Sequence, residues 1–192
     1  MTTNLYELPS DLPVPVDDGA ANHLLGMPVP PIELISTANR TINLAEVSRQ
    51  QRTVVYCYPM TGAPGKQLPA GWDEIPGARG CTPQTCSFRD HFAELRALDA
   101  LVFGLSTQTT EYQREMAQRL GLPFEVLSDA DLAFTRALGL PTFEVESKTL
   151  LKRLTLILSQ AEIVKVFYPV FPPDKNVEEV IAWLSVGRRD ES

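Results

Sequence analysis

The sequence predicts an α/β fold: a mixed central sheet flanked by helices. Three observations carry this expectation. Two continuous apolar runs rich in β-branched and aromatic residues, TVVYCYP (Thr53 to Pro59) and ALVFGLS (Ala100 to Ser106), suit strands covered on both faces. Helical periodicity follows each of them. Near the C-terminus two further strand-like runs, Leu154 to Leu158 and Glu162 to Tyr168, flank a short turn and read as antiparallel neighbours.

The 192 residues are read as one domain, 1–192, with a polar, Pro-rich N-terminal arm over about residues 1–31. IELIS (Ile32 to Ser36) and TINL (Thr41 to Leu44) flank Ala38-Asn39-Arg40 as a short hairpin. The central strand ending at Pro59 carries Cys57. A long loop over residues 59–80 follows, punctuated by Gly62, Gly65, Gly71, Gly77 and Gly80; such loops are usually functional or mobile. A helix starts between Gly80 and Pro83, since a proline is tolerated in a first turn. Its Phe88, Phe92 and Leu95 recur at helical spacing and face inward, with Arg89, Asp90, Glu94 and Arg96 outward. After the second strand, Thr110 with Gln113 resembles a capping box. The helix it opens turns Tyr112, Met116 and Leu120 inward and stops at Gly121. FEVLS (Phe124 to Ser128) is a third strand, and Ser128 caps a short helix ending near Leu138-Gly139. Asn176 with Glu179 opens the last helix, with Val177, Val180, Ile181 and Leu184 inward. This order puts helices on both sides of a sheet with one antiparallel edge. It fits a thioredoxin-like fold, with an active loop at the carboxyl end of a central strand.

Composition narrows the function. A net charge of -7 and a pI near 4.9 leave no basic stripe for phosphates, so no nucleic-acid partner is expected. No apolar run is long enough to span a bilayer, so no membrane partner is expected. The first twenty residues hold no basic residue and no apolar signal core, and the expected location is cytoplasmic. Three cysteines are too few and oddly numbered for a secreted disulfide framework. In a reducing compartment a close pair is catalytic, redox-sensing or metal-binding before it is structural.

Cys81 and Cys86 form that pair, in IPGARGCTPQTCSFRDHFAEL (Ile75 to Leu95). A helix N-terminus stabilises a thiolate through its unpaired N–H groups and dipole, and the thiolate is the nucleophile. Cys81 sits where those groups point; Cys86 is more than a turn further along. Cys81 is thus the attacking thiol and Cys86 the candidate resolving partner. Residues five apart on an ideal helix have Cα atoms roughly 8.5 Å apart and face different ways. A disulfide needs about 4.4–6.8 Å. Joining the two from one intact helix requires its first turn or more to unwind.

GCTPQTCSFRD (Gly80 to Asp90) resembles the active-site segment of the peroxiredoxins, and most closely their PrxQ, or bacterioferritin-comigratory-protein, subgroup. TVVYCYP resembles that family's strand leading into a Pro-x-x-x-Thr-x-x-Cys loop, and KRLTLIL (Lys152 to Leu158) its later strand opening with a catalytic Arg. The likeness extends from about Pro28 to Leu184. It implies a thiol-dependent peroxidase in which Cys81 attacks the peroxide and becomes a sulfenic acid. Cys86 would then condense with it to an intramolecular disulfide. Arg153 would orient the peroxide and stabilise the thiolate. A thioredoxin or similar dithiol would reduce the disulfide. A resolving cysteine in the same chain is compatible with a monomer or a homodimer.

One part departs from the pattern. The family's Thr position, three before Cys81, is Ala78, and its Pro position, seven before, is Asp73. An insertion of about twenty residues separates Pro59 from Cys81. Pro59 and Thr61, at the strand end, are the candidates for those roles, with Thr82 as a substitute for the hydroxyl and backbone N–H groups acting alone as the alternative. Arg79 is a further candidate thiolate partner. Other readings stand beside this one. A thiol–disulfide oxidoreductase is disfavoured because four residues, not two, separate the cysteines. A non-catalytic redox sensor would oxidise slowly. Cys57 reads as an inert core thiol, His91 as a boundary histidine, and Trp72 as either a loop anchor or an exposed contact. Cys81, Cys86 and His91 lack a second ligand pair of usable spacing, so no metal and no cofactor is expected.

Overall fold

The computed structural model describes residues 4–187. A seven-stranded sheet has the order β2-β1-β5-β4-β3-β8-β9, with β1 Glu33–Ser36, β2 Thr41–Asn43, β3 Thr53–Cys57, β4 Leu101–Ser106, β5 Val126–Ser128, β8 Leu154–Ser159 and β9 Glu162–Phe167. β3, β4 and β5 are parallel to one another. β1 runs antiparallel to β5 on one side and β8 antiparallel to β3 on the other. Both edges are therefore antiparallel, where the sequence pointed to one. A separate hairpin, β6 Thr142–Val145 and β7 Lys148–Leu151, has no counterpart in the sequence reading.

The alternation of β3 explains its unbroken apolar character. Val54, Tyr56 and Tyr58 join one core, and Val55 and Cys57 join the other. The first core is closed by the helices α2 Cys81–Asp90, α3 Phe92–Ala97, α4 Thr110–Leu120 and α6 Asn176–Gly187, through Phe88, Leu95, Met116, Val177, Val180 and Leu184. The second is closed by α1 Leu44–Gln50 and α5 Ala133–Leu138. The side chain of Tyr56 stacks on Phe88 with ring centroids 4.5 Å apart, so α2 is pinned to the central strand by an aromatic pair.

Four local expectations are corrected. Leu44 opens α1 instead of ending a strand, because Asn43 caps that helix by accepting from the N–H groups of Ala45 and Glu46. The helix after Gly80 is two helices, since the backbone at His91 leaves the helical region. α4 is capped by Thr109, whose hydroxyl accepts from Tyr112 N–H at 3.4 Å, not by Thr110. Gln113 is turned inward to accept from Tyr58 and to donate to the carbonyls of Gln108 and Leu127. Asp129, not Ser128, organises the start of α5. Its carboxylate accepts from Phe134 N–H at 3.0 Å and from Thr135 N–H at 2.8 Å, as well as from the Thr135 hydroxyl.

Asp129 is buried, so removing its carboxylate leaves two buried N–H groups without that acceptor. Asp129→Ala should lower unfolding free energy by about 2 kcal/mol or more in urea titrations. A loss under about 0.5 kcal/mol would contradict this account of the cap.

Candidate functional site

Three segments meet at one end of the sheet because of its strand directions. β3 and β4 are parallel, so the loops leaving them, at Tyr58–Thr61 and at Thr107–Gln108, emerge side by side. β8 runs the other way, with Leu154 opposite Cys57, so the residue before it, Arg153, lies at the same end. α2 begins there too, after the long loop has returned.

Cys81 is the first residue of α2 and is 3% exposed. The residue before it, Gly80, has φ +103°, a conformation costly for any residue with a Cβ. A Cβ there would also come within 2.4 Å of Pro173. Among the described residues no side chain caps α2, and its first turn holds no acidic residue. The free N–H groups and the dipole of this helix start are therefore presented to the thiol and to what approaches it.

The Arg153 guanidinium is buried against Cys81, with Nη2 3.1 Å from Sγ. The same nitrogen lies 3.1 Å from the carbonyl oxygens of Ala78 and of Arg79, and Nε donates to Gly77 at 3.3 Å. Nη1 donates to the side-chain oxygen of Gln84. Gln84 in turn donates to Asn176 at 3.2 Å, and Asn176 accepts from Thr155 at 2.6 Å. The network thus runs from the thiol through α2 to the start of α6. Gln84 was not singled out from the sequence. Its spacing of three from Cys81 was the available signal, since such residues share a helix face.

Thr61 lies beside the thiol. It shares a small cavity of about 10 Å³ with Cys81, Thr82, Met60, Leu68 and Trp72. Its hydroxyl donates to the side-chain Oε1 of Gln108 at 3.2 Å, and its backbone N–H to the same atom at 2.9 Å. Its own carbonyl accepts from Gln108 and from the Tyr112 hydroxyl. Gln108, at the carboxyl end of β4, is a second residue missed in the sequence. Pro59 is buried at the end of the β3 run but does not line this cavity. Ala78, in the family's Thr position, contributes only its carbonyl, to Arg153 and to the Cys81 thiol. Arg79 is not turned to the thiol: it donates to Asp73 and to the carbonyl of Asn4.

Cys86 is half-buried on the same continuous helix and is not bonded to Cys81. Burial raises its pKa, against an opposing influence from Arg89. Cys57 is fully buried, and burial pushes its pKa far up, with the Asp129 carboxylate adding to the shift. Trp72 is buried against Phe143 of the β6–β7 hairpin, with ring centroids 6.2 Å apart, and so anchors the loop.

A thiol at an uncapped helix start, an adjacent buried cation and a second thiol more than one turn on suit thiol-based redox chemistry. The comparisons agree with that class. The profile of the Redoxin family matches residues 24–181. Peroxiredoxin Q from Sedum lineare chloroplasts is 30% identical over 83% of this chain and 76% of its own. Peroxiredoxin bcp1 from Schizosaccharomyces pombe is 28% identical over 60% of this chain and 51% of its own. Peroxidoxin BcpB from Mycobacterium tuberculosis superposes with TM-score 0.69 at 22% identity, covering 85% of this chain and 97% of that one. A PrxQ variant from Xylella fastidiosa gives the same TM-score at 18% identity, covering 86% and 98%. The chain belongs to the peroxiredoxins, of the PrxQ/Bcp type, and is a thiol-dependent peroxidase.

If Gln84 holds the guanidinium in place, Gln84→Leu should slow the chain's reaction with hydrogen peroxide about tenfold or more. Gln84→Glu, which keeps an acceptor, should recover most of it. Competition kinetics on folded variants are the check; an unaltered rate in Gln84→Leu would remove Gln84 from the positioning role.

Proposed function

We propose that Cys81 is the peroxidatic cysteine, Cys86 the resolving cysteine, and Arg153 the residue that holds thiolate and peroxide together. The observation that carries this is the 3.1 Å approach of Arg153 Nη2 to Cys81 Sγ at an uncapped helix start. The thiolate attacks one peroxide oxygen. A sulfur–oxygen bond forms as the O–O bond breaks, and the departing oxygen takes a proton to leave as water or an alcohol. Cys81 is left as a sulfenic acid. Arg153 donors and the free N–H groups of α2 face the negative charge that shifts along this axis. Thr61, which lines the cavity at Cys81, takes the place of the family's Thr by our reading and turns its hydroxyl from Gln108 to the bound peroxide. Pro59 fixes the strand end from which Thr61 projects.

Cys86 then attacks the sulfenic sulfur, releasing water and forming the Cys81–Cys86 disulfide. Five residues of intact helix separate the two positions by roughly 7.5 Å along the axis, so α2 must open first. That opening breaks the Gln84–Asn176 bond and the bond from Ser87 to the Asp174 carbonyl. A thioredoxin-type dithiol restores both thiols. A reducing compartment, the cytoplasm in our reading, keeps the pair ready for the next turnover.

Cys81→Ser should abolish turnover, and full activity in that variant would refute the assignment. Cys86→Ser should consume about one peroxide per chain and then stop or over-oxidise. A second expectation concerns the helix. Hydrogen exchange over residues 81–90 should rise on oxidation. Equal protection in both redox forms would exclude the opening of α2.

A further inference from the structure

Peroxide has to reach a thiol that is almost wholly covered, and the N-terminal arm supplies part of the cover beside the long loop. The cavity at Cys81 is about 10 Å³. That is room for a molecule of about one or two oxygen atoms and far too little for a bulky organic hydroperoxide. Leu5 lines it directly. Leu5 and Leu8 are seated over two glycines that flank the site. A Cβ at Gly62 would come within 2.8 Å of Leu5, and one at Gly80 within 2.7 Å of Leu8. A side chain at either position would displace these leucines from their present seats.

Two arginines hold the segment down. Arg79, nearly buried, donates to the Asn4 carbonyl at 2.6 Å and is itself held by Asp73 at 3.2 Å. Arg119 donates to the Tyr6 hydroxyl at 3.3 Å and to the Gly62 carbonyl at 3.3 Å, tying the arm to the first turn of the loop. Apart from these bonds the segment is shallowly attached: Tyr6 is 53% exposed and Glu7 is exposed. A segment with few buried contacts opens at low cost, while its seated side chains still occupy volume.

We propose that Leu5 and Leu8 form the roof of the peroxide site and determine which peroxides it accepts. A two-oxygen peroxide needs only a small shift of these side chains. A hydroperoxide with a branched or aromatic substituent needs the whole segment from Asn4 to Leu8 to lift off Gly62 and Gly80. The roof therefore favours hydrogen peroxide over bulky organic hydroperoxides. This proposal rests on the peroxidase assignment of Cys81.

The test compares the full-length chain with its Leu5→Ala/Leu8→Ala variant, using hydrogen peroxide and cumene hydroperoxide. The ratio of kcat/KM for hydrogen peroxide to that for cumene hydroperoxide should fall about tenfold or more in the variant. A second arm uses no peroxide: alkylation of Cys81 by monobromobimane and by iodoacetamide, followed by peptide mass spectrometry. The bulky reagent should gain more from the alanines than the small one. An unchanged substrate ratio together with unchanged relative alkylation in a folded variant would overturn the roof. If the wild-type chain consumed neither peroxide, the peroxidase assignment would fail, and the alkylation arm would still decide whether Leu5 and Leu8 cover the thiol. Should the alanine pair misfold, deletion of residues 2–8 gives the same readouts.

Discussion

The buried guanidinium of Arg153 is the constraint around which this end of the molecule is built. A charge taken out of water costs several kcal/mol unless its donors are matched by acceptors. Here the acceptors are the carbonyls of Gly77, Ala78 and Arg79, the Gln84 side chain and the Cys81 sulfur. Three consecutive carbonyls can converge on one cation only if the chain turns tightly around it. That turn is what brings the long loop back to the sheet and delivers it to Gly80 and the start of α2. The thiol is consequently placed by the same bonds that satisfy the arginine. Strand order supplies the other half: β8 antiparallel to β3 is what brings Arg153 to the end where Cys57 leads on to Thr61.

The fold was legible in the sequence wherever one face of an element had to be buried. The unbroken apolar runs of β3 and β4 announce strands with helices on both sides, and Phe88, Leu95 and Met116 mark helix faces that the structure buries. Boundaries set by a single polar group were harder to read. Asn43, Thr109 and Asp129 each act as an acceptor for helix N–H groups, yet a neighbouring polar residue satisfied the same pattern for two of them. The β6–β7 hairpin escaped because its turn is made by Glu146 and Ser147 with positive φ, where glycine or asparagine would have signalled it.

The candidate site divides along a different line. Cys81, Cys86 and Arg153 carry their chemistry in their residue types and in a recognisable segment. Gln84 and Gln108 do not: an amide becomes informative only when its partners are known. The clearest limit is the loop between Pro59 and Gly80. Counting back from Cys81 reaches Ala78, while the threonines that line the thiol's cavity are Thr61, back through the loop, and Thr82, just forward. Sequence separation does not measure distance once a loop closes on itself, and loop closure grows costlier only slowly with length. Trp72 packed on Phe143 helps hold this excursion shut.

The start of α2 carries two opposed demands. Reactivity calls for free N–H groups at the thiol, so the cap position goes to Gly80, which has no side chain to offer them. A helix without that cap is weaker than α1 or α4, whose Asn43 and Thr109 bond their first turns. The stability is made up from outside the helix, by Tyr56 on Phe88, Gln84 on Asn176 and Ser87 on the Asp174 carbonyl. These supports differ in kind. The aromatic pair lies at the far end of α2 and can persist while the first turn opens, whereas the Gln84 bond must break with it. In the proposed cycle, the arrangement that leaves the first-turn N–H groups uncapped at Cys81 also puts the weakest-held turn between it and Cys86.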